Sequence, residues 1–594
     1  MSGKNGRGLT RPRWIRPFSV GLFLLAAAGL GPLLSEHLIT VAITTLFMIL
    51  LSVAWNLALG YGGQFSLGHS VFLGVGAYTS TVLYTKIGLT PWIGMIASGL
   101  LAAAVAVLLS LVAFRYEVRG VYFALLTLAS AEVFRGLASS WDFVNGPVGI
   151  LLSMKAAPGE FLFLDRLPYY YAILGLVGLG LAITAVLERC RFGYALMALR
   201  EDELAAETTG VDTYRSKVAI MGLSAFLTGL GGCFYAQFYL YISPEIGFAF
   251  EHQLNMLMGT MIGGAGTLWG PVVGTTIFSS LSELMRSLPF QSTRAVATAS
   301  KMVYAGLLML IIIYLPGGIM SLRLRRTARP APAPPVPAIG PPALLRPAAG
   351  QGLLTLEEVT KRFGGLTAVE GVSLAVHPGE VVGMIGPNGA GKTTLFNLVC
   401  GIYAPEAGHI RFLGEEITGL KPHEICRRGV GRTFQITKPF LNLDVLASVT
   451  IGTLTHVARL RQGEAEARAI LEQVGLADRS HTLGKSLTVA ERRRLELARA
   501  LATRPRLLLL DEVAAGLNPT ELAEIVALVR AIAAEGMGIL FVEHAMQAVM
   551  GVSDRVVVIS SGRKIAEERP AVVAQDPTVI DAYLGEAYVL AAGG

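Results

Sequence analysis

The residues Gly386-Pro387-Asn388-Gly389-Ala390-Gly391-Lys392-Thr393-Thr394 have types and spacing that could do chemistry. The pattern G-x-x-x-x-G-K-T is that of a loop that wraps a phosphate chain. Glycines let successive backbone N–H groups turn inward where a Cβ would clash. Lys392 can reach β/γ oxygens as a point charge, and the Thr393 hydroxyl can ligate magnesium. Further on, Leu507-Leu508-Leu509-Leu510 reads as a buried strand ending in Asp511 and Glu512. Two carboxylates there suit hydrolysis of a nucleoside triphosphate: Asp511 would hold magnesium through its water shell, and Glu512 would polarise the attacking water. Phe363 could stack on a base, or be a core ring beside a turn.

These residues need particular elements around them. The apolar run Val381–Ile385 predicts a strand entering the phosphate loop, and a helix-forming run leaves it. From Leu353 onward, strands alternate with helical patterns, which predicts an α/β domain. Everything upstream is different. The 594 residues are 53% hydrophobic and only 15% charged, which excludes an ordinary soluble enzyme and points to an integral membrane protein with a soluble part. The net charge of +7 sits largely in Arg clusters beside apolar segments, where it orients a chain in a bilayer and is no footprint of nucleic-acid binding. Cys190, Cys233, Cys400 and Cys426 lack metal-ligand spacing, and free thiols suit a cytosolic face.

Apolar segments of spanning length occur near 17–34, 38–59, 65–85, 91–114, 119–137, 168–188, 216–243 and 298–315. The start resembles a signal peptide but runs directly into a second span, so it reads as a retained helix. The stretch 252–282 is apolar but broken by Gly263-Gly264-Ala265-Gly266 and Gly270-Pro271. Basic clusters at Lys4–Arg16, Arg115/Arg119, Arg189/Arg191 and Arg323–Arg329 should all face the cytoplasm. That parity requires 252–282 to return to the side it entered, as two short helices. Glu132 and Arg135, one turn apart, are expected to pair locally. Eight prolines between 330 and 350 make a tether on the order of 60 Å if extended, too loose to carry a mechanical stroke.

On these motifs the region 353–594 resembles the ATP-binding subunit of an ABC transporter. The resemblance implies ATP and Mg2+ as cofactors and carries further roles. Gln435, in Gly431-Arg-Thr-Phe-Gln435, corresponds to the Q-loop residue near the metal, and His544, in Phe541-Val-Glu-His544, to the switch histidine. Asn518 in Ala515-Gly-Leu-Asn518-Pro519 stands where a D-loop usually has Asp. The signature L-S-G-G-Q is replaced by Leu487-Thr488-Val489-Ala490-Glu491. Thr488 keeps a hydroxyl for a partner's γ-phosphate, Ala490 adds a methyl at a close approach, and Glu491 brings negative charge toward an anion. Ala514–Pro519 and the terminal Asp581–Glu586 resemble the ATPases of branched-chain amino-acid importers.

The first 325 residues resemble the permease of the same importers. The carriers are Trp55-Asn56, Gly60-Tyr61-Gly62-Gly63-Gln64-Phe65-Ser66-Leu67-Gly68-His69 and Gly263–Pro271. Gln64 and His69 either touch solute or serve helix packing. Arg191–Asp212 resembles the E-A-A-x-x-x-G loop that docks an ATPase, with Ala205, Ala206 and Gly210 at the matching positions, Leu204 where the family has Glu, and Asp202 and Glu203 just before it. The implied fold is an α-helical polytopic membrane domain followed by an α/β P-loop ABC ATPase domain. Its expected boundaries are 1–326 (permease, about eight spans plus the broken segment at 252–282), 327–351 (linker) and 352–594 (ATPase). The implied activity is ATP-driven uptake of an aliphatic amino acid, with urea or short amides and an exporter as rivals. The implied partners are a second permease, a second ATPase and a periplasmic or surface solute-binding protein, at the bacterial cytoplasmic membrane. Because one chain supplies one of each domain, the altered signature predicts a heteromeric assembly with one dominant hydrolytic site.

Overall fold

A computed structural model describes residues 15–152, 158–286, scattered positions in 302–320, and 352–583 apart from 436, 514, 544 and 545. The expected linker and the boundary near 326 lie outside the described residues. The chain divides into two units: Met1–Leu196 with Tyr214–Pro332, and Met197–Thr213 with Ala333–Gly594. The segment Met197–Thr213 thus belongs, by its contacts, with the C-terminal unit.

The first unit is helical. Helices α1 (Ile15–Leu30), α2 (Glu36–Asn56), α3 (His69–Val82), α4 (Pro91–Arg115), α5 (Val121–Ser140) and α6 (Leu167–Leu187) precede the short α7 (Arg191–Glu201), which runs into the segment assigned to the other unit, and α8 (Glu203–Thr208) within that segment. Then come α9 (Thr213–Tyr239), α10 (Pro244–Gly247), α11 (Phe250–Gly263) and α12 (Gly270–Arg286). Two-residue strands β1 (Ile150–Leu151) and β2 (Tyr241–Ile242) pair antiparallel. Five helical stretches among the described residues are long and apolar enough to cross a membrane: Glu36–Tyr61, Pro91–Arg115, Val121–Ser140, Leu167–Leu187 and Thr213–Tyr239.

Five differs from the expected eight for identifiable reasons. Over 17–34, α1 begins at the first described residue and runs on into a 3-10 turn at Gly31–Leu33. Over 65–85 the backbone turns through Gly62–Gly68 before α3 starts. Even with its π-helical turn to Ile87, α3 carries Ser70, Thr79, Ser80, Thr81 and Lys86. Thr79 and Thr81 donate to Val75 O and Ala77 O at 2.6 and 2.8 Å, so the helix shields its own hydroxyls. Most of 298–315 lies outside the described residues. The stretch 252–282 is two helices, α11 and α12, joined at Gly264–Trp269. They cross so closely that a methyl on Gly274 would fall 2.1 Å from Gly259 O.

A buried polar cluster ties the two glycine-rich motifs together. Asn56 Nδ2 donates to Thr267 O at 3.1 Å, and its Oδ1 accepts from Gly266 N at 2.8 Å. Trp55 Nε1 and Gln253 Nε2 both donate to Ser66 O, at 2.9 and 3.2 Å. The His69 ring lies between Ser66 Oγ (3.1 Å) and Ser224 Oγ (2.8 Å). Of the two readings of His69, the structure therefore supports packing: both ring nitrogens are engaged by the scaffold. On α5, Arg135 pairs with Glu132 at 2.6 Å and, beyond the expected pair, with Glu245 at 2.6 Å.

The C-terminal unit holds two sheets. One is ordered β12-β11-β5-β10-β9-β8 and comprises β5 (Val381–Ile385), β8 (Val430–Arg432), β9 (Leu507–Asp511), β10 (Gly538–Val542), β11 (Arg555–Ser560) and β12 (Arg563–Glu568); it is parallel except at the β12 edge. The other, ordered β4-β3-β6-β7, is antiparallel and comprises β3 (Leu354–Phe363), β4 (Leu366–Val376), β6 (Ala407–Phe412) and β7 (Glu415–Glu416). Strands β5, β9 and β10 are buried along their whole length, as central strands covered on both faces must be. Helices α13 (Lys392–Val399), α14 (Pro422–Arg428), α15 (Val445–Thr453), α16 (Leu460–Gln473), α17 (Val489–Leu501) and α18 (Pro519–Ala534) follow in chain order. All four cysteines are free thiols.

Candidate functional site: a nucleotide site and a seated loop

The carboxyl ends of β5, β9 and β10 converge on one edge, where open α/β sheets place their ligands. Strand β5 feeds Gly386–Gly391, and α13 starts at Lys392. Gly391 caps that helix at φ +102°, and a Cβ there would lie 2.2 Å from Ala368 O, so only glycine fits. Gly386 and Gly389 also hold positive φ, with Pro387, Asn388 and Ala390 between them. The loop is a concave run of backbone N–H groups at a helix N-terminus, with Thr393 and Thr394 in its first turn. Lys392 is buried, and its Nζ donates to Gly386 O (2.5 Å) and Pro387 O (2.8 Å). The lysine lies across the mouth of the loop.

Asp511 ends β9 fully buried, and neither carboxylate oxygen has a hydrogen-bond partner. Burial pushes its pKa up, while Arg432, with Nη2 at 3.6 Å, pulls it back. A buried carboxylate so poorly satisfied suits an incoming cation with its water shell. Among the described residues there is no cluster of three or more His, Cys, Asp or Glu side chains of metal-binding geometry. Glu512 stands next to it at φ +48°, a left-handed backbone unusual for a side-chain-bearing residue. Its N–H donates to Val542 O at 2.9 Å, and its carboxylate accepts from Gln435 Nε2 at 2.8 Å. Gln435 and Glu512, far apart in sequence, are thus brought together by the parallel pairing of β8 with β9. Phe363, 42% exposed at the end of β3, meets Tyr403 edge-on with centroids 5.2 Å apart, and Lys361 Nζ lies over its ring at 5.4 Å. His544 lies outside the described residues.

A family profile described as the permease component of the branched-chain amino acid transport system matches residues 37–313, and an ABC transporter profile matches 369–515. The chain is 43% identical over 251 residues to the high-affinity branched-chain amino acid transport ATP-binding protein BraF of Pseudomonas aeruginosa, covering 40% of this chain and 98% of that one. The chain belongs to the ABC transporter family. It is also similar to the ATP-binding protein LivG of Escherichia coli (41% over 253 residues; 40% and 99% covered) and to the lipopolysaccharide export ATP-binding protein LptB of that organism (36% over 238 residues; 40% and 99%). Among solved structures, a nucleotide-free ATP-binding cassette from an ABC transporter is 30% identical, covers 39% of this chain and 99% of its own, and has a TM-score of 0.37. Profiles of a permease component and of an ABC transporter thus match successive parts of this chain, whose ABC ATPase hydrolyses ATP coupled to transport.

In this ABC ATPase the signature segment is a helix start. Leu487 is buried, Thr488 is the N-cap of α17, and Val489, Ala490 and Glu491 form its first turn. Glu491 Oε2 accepts from Thr488 N at 2.9 Å and its Oε1 from Arg479 Nε at 2.8 Å. Partial burial raises its pKa, but these two bonds outweigh that and hold it below the usual carboxylate value. Glu491 thus lies in a capping box with Thr488 and an ion pair with Arg479. Asn518 likewise caps α18, accepting from Glu521 N at 2.9 Å, a role Asn fills as well as Asp.

The loop 197–213 is seated within the ATPase unit. Asp202 caps α8 through Ala205 N (2.7 Å) and meets Lys438 Nζ at 3.0 Å. Ala205 and Ala206 are fully buried, and Glu203 opens the helix's first turn. Gly210, at φ +84°, offers its carbonyl to Arg427 Nε (3.2 Å) and Nη2 (2.9 Å), and a Cβ there would strike Thr455 Cγ2 at 2.4 Å. Asn442 donates from N and Nδ2 to the Glu201 carboxylate at 3.0 and 3.1 Å, and Asp212 lies 3.6 Å from His423. Sequence reasoning missed the ATPase side of this seat (Arg427, Lys438, Asn442, His423) and missed Arg432 at the nucleotide site. The available signal was the run of basic residues 421–438 opposite an acidic loop.

Proposed function

We propose that this chain is the fused permease–ATPase subunit of a binding-protein-dependent importer of branched-chain amino acids. The observation that carries the reading is the co-occurrence, on one polypeptide, of the branched-chain permease profile and an ATPase 43% identical to a branched-chain transport ATP-binding protein. The ATP phosphates would lie on the N–H groups of 386–391 with Lys392 at the β/γ oxygens. Thr393, Gln435 and, through water, Asp511 would hold Mg2+, which neutralises charge at those oxygens when bound. Glu512 would orient and polarise the attacking water, Gln435 would hold Glu512 in place, Phe363 would stack on the adenine, and His544 would face the γ-phosphate.

ATP binding would close two ATPase domains, and the seated loop 197–213, continuous with α9, would pass that motion to the permease. The broken pair α11–α12 would line the solute path. A second permease, a second ATPase and a periplasmic solute-binding protein would complete the assembly in the bacterial cytoplasmic membrane, with the ATPase in the cytoplasm. At the signature Ala490 adds a methyl and Glu491 a negative charge, so a heteromer with one dominant site is the proposed arrangement. Binding assays on the cognate solute-binding protein test the substrate: tight leucine, isoleucine or valine binding supports the reading, whereas preference for urea or short amides replaces it. Active outward pumping without any binding protein would make the chain an exporter.

A further inference from the structure

Helix α17 buries a face carrying Arg493, Glu496 and Arg499, with exposures of 7%, 2% and 2%. Charges that deep persist only when paired and hydrogen-bonded. What they grip is backbone. Glu496 Oε1 accepts from Phe434 N at 3.0 Å. Arg493 Nη1 donates to Phe434 O at 3.2 Å and to Gln435 O at 3.0 Å. Arg499 Nη1 donates to Lys438 O at 2.6 Å. The gripped segment carries Gln435 at one end, with Nε2 on Glu512, and Lys438 at the other, with Nζ on Asp202. Each link from the seated loop to the proposed catalytic carboxylate is therefore a hydrogen bond, an ion pair or a covalent step.

We propose that Arg493, Glu496 and Arg499 form a positioning clamp that makes the seating of Asp202 on Lys438 and the aim of Gln435 at Glu512 a single event. The inference rests on the catalytic reading of Glu512 given above. A residue of this kind touches neither nucleotide nor metal and acts through the backbone it holds. Burial pushes the Glu496 carboxyl up to about 7 against the pull of Arg499 and Arg493.

The test uses the full chain assembled with its partner subunits in lipid nanodiscs, with kcat and KM for ATP measured for wild type, Glu496→Gln, Asp202→Asn and the double variant. Glutamine keeps the shape and an acceptor for Phe434 N while removing the charge between two arginines. The clamp predicts a kcat at least about fivefold lower for Glu496→Gln, the low end of ordinary coupling between sites, with KM unchanged. It also predicts that the double variant is no slower than the slower single one. A wild-type kcat for Glu496→Gln, or losses that multiply in the double variant, overturns it. If Glu496→Gln does not fold, Arg499→Lys, which keeps the charge but loses the fork, is read by the same criteria. Glu512→Gln separates the two claims: if it is inactive while Glu496→Gln is normal, the clamp alone fails, whereas wild-type turnover in Glu512→Gln sinks the catalytic reading and the clamp with it.

Discussion

The two functional regions of the ATPase unit differ in how their acidic side chains are satisfied. At the nucleotide site the Asp511 carboxylate is buried with both oxygens lacking a hydrogen-bond partner, and Gln435 and Glu512 sit on an open edge. At the seat of loop 197–213, Asp202, Glu201 and the Gly210 carbonyl each meet donors from the ATPase. A site that leaves buried acceptors unsatisfied is prepared for a ligand that comes and goes. A surface that pairs its charges is prepared for a contact that persists.

Substitutions that break this contrast should differ in kind and in size. Lys392→Ala should cost on the order of 10² to 10³ in ATP turnover, as loss of a preorganised charge at a reacting phosphate does, with membrane insertion unchanged; steady-state ATPase assays and membrane fractionation check both. Glu512→Gln should lose about 10² or more in turnover yet still bind ATP, because it removes the base and not the cradle. Nucleotide binding to that variant, measured by fluorescence, should stay close to wild type. Gly210→Val should cost about 1–3 kcal/mol locally through its left-handed backbone and the clash with Thr455. It should lower solute uptake per ATP hydrolysed, and a wild-type ratio would mean that the seat does not couple.

Smaller effects are expected from exposed or slack parts. Asp202 and Lys438 are about one-third exposed, so Lys438→Ala should cost no more than about 1 kcal/mol of seat stability and show itself as partial uncoupling. Removing four or five residues from the proline-rich 330–350 tether should leave transport nearly unchanged, since a chain of about 60 Å has slack to spare. A strong effect there beside a silent Gly210→Val would reverse the assignment of the coupling path.

The sequence was most legible where chemistry is local. The phosphate loop needs glycines at fixed offsets and a lysine after the last, and such a pattern survives without tertiary information. Asp511 and Glu512 were legible as the polar end of an all-leucine strand. The pairing of Gln435 with Glu512 and of Arg432 with Asp511 depends on β8 lying beside β9, a long-range register no window reveals. The segment read as apolar over 65–85 turns through Gly62–Gly68 and continues as the hydroxyl-bearing α3, whose Thr79 and Thr81 donate to i−4 carbonyls. The pairing of Glu491 within its own helix start went unread for a different reason. Thr488-Val489-Ala490-Glu491 is itself a helix-start spacing, and that local chemistry decides where the carboxylate goes.

The most direct test of the account is solute movement in proteoliposomes containing the complete assembly, with ATP enclosed beside the ATPase and isotopically labelled leucine supplied with the binding protein on the opposite face. The account predicts leucine transfer toward the ATPase side that requires ATP, stops without the binding protein and is absent in Lys392→Ala. Transfer that persists in Lys392→Ala, or that runs away from the ATPase side, would contradict it.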